Sequence, residues 1–152
     1  MIVGVISDTH GLLRPEAVEA LRGKDAIVHA GDVGDASILE TLRTLAPLTA
    51  IHGNADGGDL RRQLPPTAFL DLDGVGIYVL HDLNDLDLTP SVAGIRVVVC
   101  GHSHKPLLRE EGGVLYLNPG SAGPRRFHYP VSVAELVLER GEPRARIIEL
   151  TV

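Results

Sequence analysis

Apolar and polar positions in the first half of the chain follow one another in the order strand, polar loop, helix. Residues 2–6 form a short continuous apolar run, which is typical of a strand covered on both faces. Pro15 suits the first turn of a following helix with an apolar face. The order then repeats, with a strand over residues 25–29 and a helix that Asp35 can cap. A third strand is predicted over residues 48–51, so three strands run into three polar loops.

The second half of the chain has the pattern of antiparallel strands. This half begins after the stretch at residues 52–58, which is too rich in Gly for a helix or strand and is predicted to be a loop. An Asp-Gly dipeptide at residues 73–74 separates two apolar runs, and this dipeptide is favoured in two-residue hairpin turns. Residues 95–100 predict another buried strand, and two further hairpins are predicted around Gly112 and Gly141. We therefore expect two packed sheets with helices on the outside.

Composition narrows the class of protein. The chain is long enough for one domain with a sizeable core, so residues 1–152 are predicted to form a single domain. A net charge of −6 argues against general nucleic-acid binding. No apolar run is long enough to cross a membrane, and the stretch before Ser7 is too short for a signal peptide. The single cysteine, Cys100, suits a reducing compartment, so a cytoplasmic protein is expected, with its oligomeric state left open.

Residues with metal-binding side chains follow the predicted strands, where ligands gather in open α/β sheets. Each residue taken alone is a common turn or capping residue. Mixed oxygen and imidazole donors at five separate strand ends, however, share no structural purpose other than holding cations. The candidate donors are Asp8, His10, Asp32, Asn54, His81, His102 and His104.

Two of these donors, His102 and His104, stand in a Gly-His-Ser-His stretch directly after the strand at residues 95–100. In an extended segment, side chains two residues apart project to the same side, so both rings can face one point. One ion or one ion pair can then use both rings. The alternative is that they are ordinary surface histidines.

The number of donors favours two ions over one. Seven donors are too many for one tetrahedral ion, but they suit two ions that share a bridging carboxylate, for which Asp32 is the natural candidate. Such a pair generates a metal-bound hydroxide for in-line attack on phosphorus, so the predicted reaction is phosphoester hydrolysis. The donor set does not select the metal. We expect Mn, with Zn, Fe and Ni as alternatives.

The motif set resembles that of the calcineurin-like metallophosphoesterases over nearly the whole chain. The matching stretches are Asp8-x-His10, Gly31-Asp32, Gly53-Asn54, His81 and Gly101-His102-Ser103-His104. Asn118-Pro119-Gly120-Ser121 and Pro124-Arg125 resemble the small YfcE-like phosphodiesterase branch. This resemblance implies an α/β fold, an αββα sandwich of two mixed β-sheets flanked by helices, with the metal site at the carboxyl ends of the strands.

The resemblance also implies a role for each donor. One metal would be held by Asp8, His10, Asp32 and His104. The other would be held by Asp32, Asn54, His81 and His102, so the two histidines of the Gly-His-Ser-His stretch would serve different ions. Asp32, Asn54 and His81 are the residues expected to carry catalysis.

Two positions depart from the family pattern. Many larger relatives have a histidine after the Gly-Asn pair that helps to protonate the leaving group, and the small branch commonly has Cys there, but this chain has Ala55. A missing general acid costs about two to four powers of ten where the leaving group is poor. We therefore predict a preference for diesters with acidic leaving groups over alkyl phosphomonoesters. Asp82 stands where relatives usually have Gly, which affects the loop after His81.

Two further residues are candidates for substrate binding. Arg125 can hold a phosphate through two hydrogen bonds, with a solvated or structural role as the alternative. His52 can replace the missing acid, with an ordinary packing or surface role as the alternative. His29 is predicted to be a core histidine behind Asp32.

The sequence therefore predicts a dinuclear metal-dependent phosphodiesterase that acts on a small phosphoester. A phosphomonoesterase is the first alternative, because the same site supports either reaction. A non-catalytic protein-binding scaffold, as in the retromer subunit of the same fold, is the second.

Overall fold

The computed structural model describes all residues, 1–152, as ten strands and three α-helices. The strands are β1 Ile2–Ile6, β2 Ala26–His29, β3 Leu48–Ala50, β4 Thr67–Leu72, β5 Val75–Leu80, β6 Val97–Val99, β7 Leu107–Glu111, β8 Val114–Asn118, β9 Ser132–Glu139 and β10 Glu142–Glu149. The helices are α1 Pro15–Leu21, α2 Ala36–Leu45 and α3 Gly58–Gln63.

The strands form two five-stranded mixed sheets. In the first sheet the order is β10-β9-β1-β2-β3, with β1, β2 and β3 parallel and β9 antiparallel to β1. In the second sheet the order is β4-β5-β6-β8-β7, with β5, β6 and β8 parallel and an antiparallel strand at each edge. The prediction of two mixed sheets is confirmed. The last hairpin returns to the first sheet, so this sheet contains both ends of the chain.

The main core lies between the sheets and consists of β-branched and aliphatic side chains from their facing sides. Helices α1 and α2 cover the outer face of the first sheet, where Leu21, Leu39 and Leu42 pack in one cluster with Ile6 and Ile27. The main core contains Val3, Val5, Val28, Ile77, Val79, Val97, Val99 and Leu136, among others.

The outer face of the second sheet has a thinner cover. Leu83, Leu86 and Leu88 pack on its buried residues from a segment that contains only a 3-10 turn at Leu83–Asp85. Asp85, Asp87 and Pro90 disfavour a longer helix in this segment. The helices therefore flank the sandwich mainly on one side. No helix of the structure has the length and apolar character needed to span a bilayer.

Two local predictions have different outcomes. Asp35 caps α2 as predicted, because its side chain accepts a hydrogen bond from the Ser37 N–H at 2.9 Å. The predicted loop at residues 52–58 is wrong at its last residue, since α3 begins at Gly58. Gly58 has a φ of 55°, a left-handed conformation that glycine adopts without strain because it has no Cβ. The exposed Gly58 can therefore be the first residue of this short helix.

Candidate metal centre

The loops after β1 and β2 are joined by backbone hydrogen bonds at the carboxyl ends of these parallel strands. Asp8 N donates to Gly31 O at 3.0 Å, and His10 N donates to Asp32 O at 2.9 Å. Asp8, His10 and Asp32 all have left-handed backbones, with φ values of 56°, 47° and 55°. Asp and His adopt this conformation more often than most residues. The two loops therefore hold three polar side chains close together.

Glycines at two positions allow the remaining loops to approach. A Cβ on Gly53 would lie 2.2 Å from Asp32 Oδ1, and a Cβ on Gly101 would lie 2.1 Å from Ser7 Oγ. A Cβ on Gly53 would also lie 2.5 Å from the backbone nitrogen of Asp32, and one on Gly101 would lie 2.7 Å from Asp8 Oδ2, so any other residue would displace the Asp8 or Asp32 carboxylate. The glycines of the Gly-Asn and Gly-His-Ser-His stretches are therefore required by the closeness of neighbouring loops.

Asp8 lies at the centre of the site and is fully buried. Its Oδ2 accepts hydrogen bonds from Ser7 Oγ at 2.8 Å and from His102 N at 3.0 Å. Its Oδ1 is buried without a hydrogen-bond partner. Three imidazole Nε2 atoms surround this oxygen, those of His104 at 3.5 Å, His10 at 3.6 Å and His81 at 3.8 Å. A buried carboxylate oxygen without a donor is costly, and a cation at this point would offset that cost.

Asp32 presents one oxygen to the same group of histidines. Its Oδ1 accepts a hydrogen bond from Ala55 N at 2.8 Å. Its Oδ2 lies 3.1 Å from His81 Nε2 and 3.6 Å from His10 Nε2. The Asp32 carboxylate therefore stands between histidines of two different loops.

Both carboxylates favour the ionised form. Burial acts to raise the pKa of Asp32, but hydrogen bonds from His81 and the Ala55 N–H lower it to about 2. Burial likewise acts against ionised Asp8, and interactions with His10, His81 and Ser7 nevertheless hold its pKa below the usual value. Two negative charges are thus held within one buried cluster.

The histidines differ in their environment. His81 Nδ1 lies 2.7 Å from Ala30 O, so this nitrogen donates and Nε2 faces Asp32. Burial acts to lower the pKa of His81, but these two contacts raise it above the usual value. Burial dominates at His104 and lowers its pKa. A proton therefore competes with a metal ion for His81 more strongly than it does for His104.

The two histidines of the Gly-His-Ser-His stretch point to different groups. The His104 ring stacks on His10, with ring centroids 5.2 Å apart. His102 Nδ1 lies 3.1 Å from Asn54 Oδ1, and the His102 ring stands edge-on to His81. The two rings do not face one point, although the alternation of an extended segment allows it. Both residues have left-handed backbones, with φ values of 72° and 63°, so the alternation of an extended segment does not apply.

The donor atoms form two groups that fit a metal ion. One contains Asp8, His10 and His104, and the other contains Asp8, Asp32 and His81; within each group the ligand atoms lie within 4.8 Å of one another. Carboxylate oxygens and imidazole nitrogens are donors that Mn, Zn, Fe and Ni accept. Asp8 is common to the two groups, whereas the sequence analysis assigned the bridge to Asp32. Asp32 Oδ2 also faces histidines of both groups, so its bridging role stays a prediction.

A buried hydrogen-bond relay lies behind these ligands. His29 is fully buried, as predicted, and its Nδ1 accepts a hydrogen bond from Gly31 N at 3.1 Å. Its Nε2 must then carry the proton, which it donates to Thr9 Oγ1 at 3.0 Å. Burial lowers the pKa of His29 to about 4, so the ring stays neutral in neutral solution. His29 supports the residues beside Asp8 and Asp32 without contacting either side chain.

The two candidates for substrate binding, His52 and Arg125, have different surroundings. His52 is half-buried and lines a cavity of about 540 Å³ together with Asn54, His81 and His102. Arg125 is exposed. Arg126 lies near enough for its charge to act on His104. Their roles in binding stay predictions.

Two residues that hold the loops of the site together, Asp56 and Arg61, do not stand out in the sequence. Asp56 is buried and accepts backbone hydrogen bonds from the loops after β2 and β3. Arg61 donates to the carbonyl oxygens of Asp56 and Gly53. The only sequence signal for Asp56 is a carboxylate two residues after Asn54, which is common in turns.

Comparison with known proteins connects this geometry to a family. Residues 1–141 match the calcineurin-like phosphoesterase superfamily domain. A probable metallophosphoesterase of Methanocaldococcus jannaschii is 37% identical over 134 residues, which cover 80% of this chain and 68% of that protein.

Solved structures have the same fold at lower sequence identity. A novel archaeal phosphodiesterase has a TM-score of 0.79 and 23% identity, with 97% of this chain and 100% of that chain covered. Zn²⁺-complexed Vps29 from Entamoeba histolytica has a TM-score of 0.76 and 22% identity, with 98% and 99% covered. Together with the donor groups, the family match supports a phosphoesterase that binds divalent metal. The chain belongs to the calcineurin-like phosphoesterase superfamily.

Proposed function

We propose that this chain is a dinuclear metal-dependent phosphodiesterase whose single domain spans residues 1–152. The observation that carries the proposal is Asp8 Oδ1, a buried oxygen without a hydrogen-bond partner that faces three imidazole nitrogens. The same atom is common to both donor groups. A divalent cation offsets two buried carboxylates, and the two donor groups offer places for two ions.

We assign the ligands in two overlapping sets. Asp8, His10, Asp32 and His104 hold one ion. Asp32, Asn54, His81 and His102 hold the other. The separation of the His102 and His104 rings supports this division, because His104 stacks on His10 while His102 contacts Asn54.

The protein prepares these side chains before any ion binds. Asp8 and Asp32 are held ionised, so neither carboxylate must lose a proton at neutral pH. The Ala30 carbonyl fixes the Nδ1 proton of His81 and leaves Nε2 as the donor to metal. When bound, a pair of divalent ions lowers the pKa of a water molecule and offsets negative charge on the phosphoryl oxygens. Asn54 and His81 line the cavity, and Asp32 lies behind His81 at 3.1 Å, so these three residues are assigned to carry this chemistry.

The proposed native metal is Mn²⁺, with Zn, Fe and Ni as alternatives that the donor set also accepts. The test is metal analysis of the purified protein, followed by removal of metal and titration with each ion. Two ions per chain and recovery of hydrolysis by Mn²⁺ are expected. One ion per chain at saturation would contradict the dinuclear assignment.

The absence of an acid after Asn54 supports diesters as substrates. Ala55 cannot donate a proton to the leaving oxygen, and the structure brings its backbone N–H to Asp32 instead. The test compares bis(p-nitrophenyl) phosphate with an alkyl phosphomonoester. The aryl diester is expected to react about 10² to 10⁴ times faster. Equal rates would favour the phosphomonoesterase, or a role for His52 as the acid.

The second candidate function is a protein-binding scaffold. It is supported by the similarity in fold to Vps29. The presence of all seven donors in one cluster favours the enzyme instead. A purified protein that binds no divalent ion and hydrolyses no phosphoester with added Mn²⁺ would favour the scaffold.

A further inference from the structure

Asp56 is a buried carboxylate that belongs to neither group of candidate ligands. Only 3% of its surface is exposed. Its Oδ1 accepts a hydrogen bond from Gly34 N at 3.0 Å, and its Oδ2 accepts from Val33 N at 3.1 Å and from Gly53 N at 3.0 Å. Both oxygens are therefore occupied by backbone donors, and neither is directed at the candidate metal centre.

These three donors belong to loops that carry proposed ligands. Val33 and Gly34 directly follow Asp32, and Gly53 directly precedes Asn54. Gly11 N also donates to Val33 O at 2.9 Å, which joins the loop of His10 to the same segment. One side chain thus holds the loops after β2 and β3 together, and the loop after β1 is attached to them.

The position of Asp32 depends on the same arrangement. Asp32 Oδ1 accepts its hydrogen bond from Ala55 N, the residue next to Asp56. Arg61 reinforces this loop from outside, because its Nε donates to Asp56 O at 2.9 Å and its Nη2 to Gly53 O at 3.2 Å. If Asp56 lost its backbone partners, the Ala55 N–H would no longer be held against Asp32.

We propose that Asp56 is a positioning residue that sets the relative placement of Asp32 and Asn54, and thereby the affinity of the site for divalent metal. The proposal rests on the proposed function, since it takes Asp32 and Asn54 as ligands. Its physical basis is the strength of hydrogen bonds to a carboxylate in a buried environment, where three backbone donors would otherwise be left without a partner.

The test measures Mn²⁺ affinity by calorimetry and kcat at saturating Mn²⁺ for Asp56→Ala and Asp56→Asn. We expect Asp56→Ala to lower both quantities about 10- to 100-fold, as for other groups that orient metal ligands. Asp56→Asn keeps one acceptor oxygen and places an amide against a backbone donor, so an intermediate loss is expected. This graded recovery distinguishes positioning from a general loss of stability.

Leu138→Ala is the matched control. Leu138 is fully buried in the main core at the end of β9 that pairs with the start of β1, away from the candidate metal centre. It should lower the melting temperature while leaving Mn²⁺ affinity and kcat unchanged. If Leu138→Ala with a similar loss of melting temperature lowers Mn²⁺ affinity as much as Asp56→Ala, the proposal is overturned.

Wild-type Mn²⁺ affinity and kcat in both Asp56 variants would also overturn it. If Asp56→Ala does not fold, Asp56→Asn alone decides between these outcomes. If the wild-type chain binds Mn²⁺ but cleaves no phosphoester, the proposed function fails, and the affinity series still tests the role of Asp56.

Discussion

The candidate metal centre has an inner half, formed by Asp8, His10 and His104, and an outer half, formed by Asn54, His81 and His102. In the inner half, Asp8 and His104 are shielded from solvent, with 0% and 3% of their surface exposed. The outer half opens to the cavity, and 43% of the His102 side chain is exposed. Charges interact more strongly where water is excluded. In the proposed dinuclear site, the inner half should therefore hold its ion more tightly than the outer half, and the outer half should be the one that the substrate reaches.

The strongest test of this comparison is the residue assigned to both halves. Asp32→Asn should leave a folded chain and lower kcat by about 10³-fold, because several kcal/mol of charge stabilisation are lost. Turnover of an aryl diester at saturating Mn²⁺ measures the effect. Asp71→Asn is the control, since Asp71 is exposed on β4. A loss of one ion with activity retained would mean that Asp32 serves only one half.

The two histidines of the Gly-His-Ser-His stretch separate the halves directly. His104→Ala should weaken the tighter Mn²⁺ site by at least about 100-fold, since even groups behind a ligand contribute 10- to 100-fold. His102→Ala should weaken the other site by a similar factor and leave the tighter one intact. Calorimetric titration with Mn²⁺ resolves the two. Identical effects of both substitutions would mean that the rings serve one ion.

Gly53 lies where the loop that carries Asn54 contacts the loop that carries Asp32, so a substitution there tests this contact. Gly53→Ala should lower kcat about 100-fold, because its Cβ would lie 2.2 Å from Asp32 Oδ1 and displace that carboxylate. Gly57→Ala should have no effect, since nothing lies within 4 Å of a Cβ there and its φ is −131°. An unchanged kcat in Gly53→Ala would show that Asp32 can shift without consequence.

Lower pH should weaken metal binding more at the outer half than at the inner half. The pKa of His81 is raised, so this ring holds a proton to higher pH, and metal must displace it. Burial lowers the pKa of His104, so this ring loses its proton at a lower pH than His81 does. As pH falls below the raised pKa of His81, affinity at the outer half should fall by up to about tenfold per unit. Affinity at the inner half should change less. Calorimetry from pH 8 to pH 6 measures both, and equal slopes would contradict the assignment.

Much of the fold followed from local pattern. Continuous apolar runs gave β1 and β6, the Asp-Gly dipeptide at residues 73–74 gave the turn of the β4–β5 hairpin, and Asp35 gave the start of α2. The sheet order was not accessible in this way. The pairing of β9 with β1 joins residues more than 120 positions apart, and no local pattern specifies such a partner.

In the candidate site, too, local sequence pattern predicted some features and not others. The seven donors were found because metal-binding side chains directly followed predicted strands. Strand alternation did not indicate the directions of the His102 and His104 rings, because both backbones are left-handed. Only the family resemblance implied that the two rings serve different ions. Asp56 was missed for another reason. Its partners are backbone N–H groups, which leave no trace in the pattern of side chains.

The left-handed backbones have a consequence for the stability of the fold. Asp8, His10, Asp32, His102 and His104 all have positive φ values, each at a cost of about 1 kcal/mol or more relative to glycine. Asp8 and Asp32 offset this cost in part through the buried hydrogen bonds that they accept, whereas the exposed His102 accepts none from the backbone. Replacing His102 by Gly or Asn should therefore relieve backbone strain at little cost in packing, so the stability of the fold does not by itself require a histidine there.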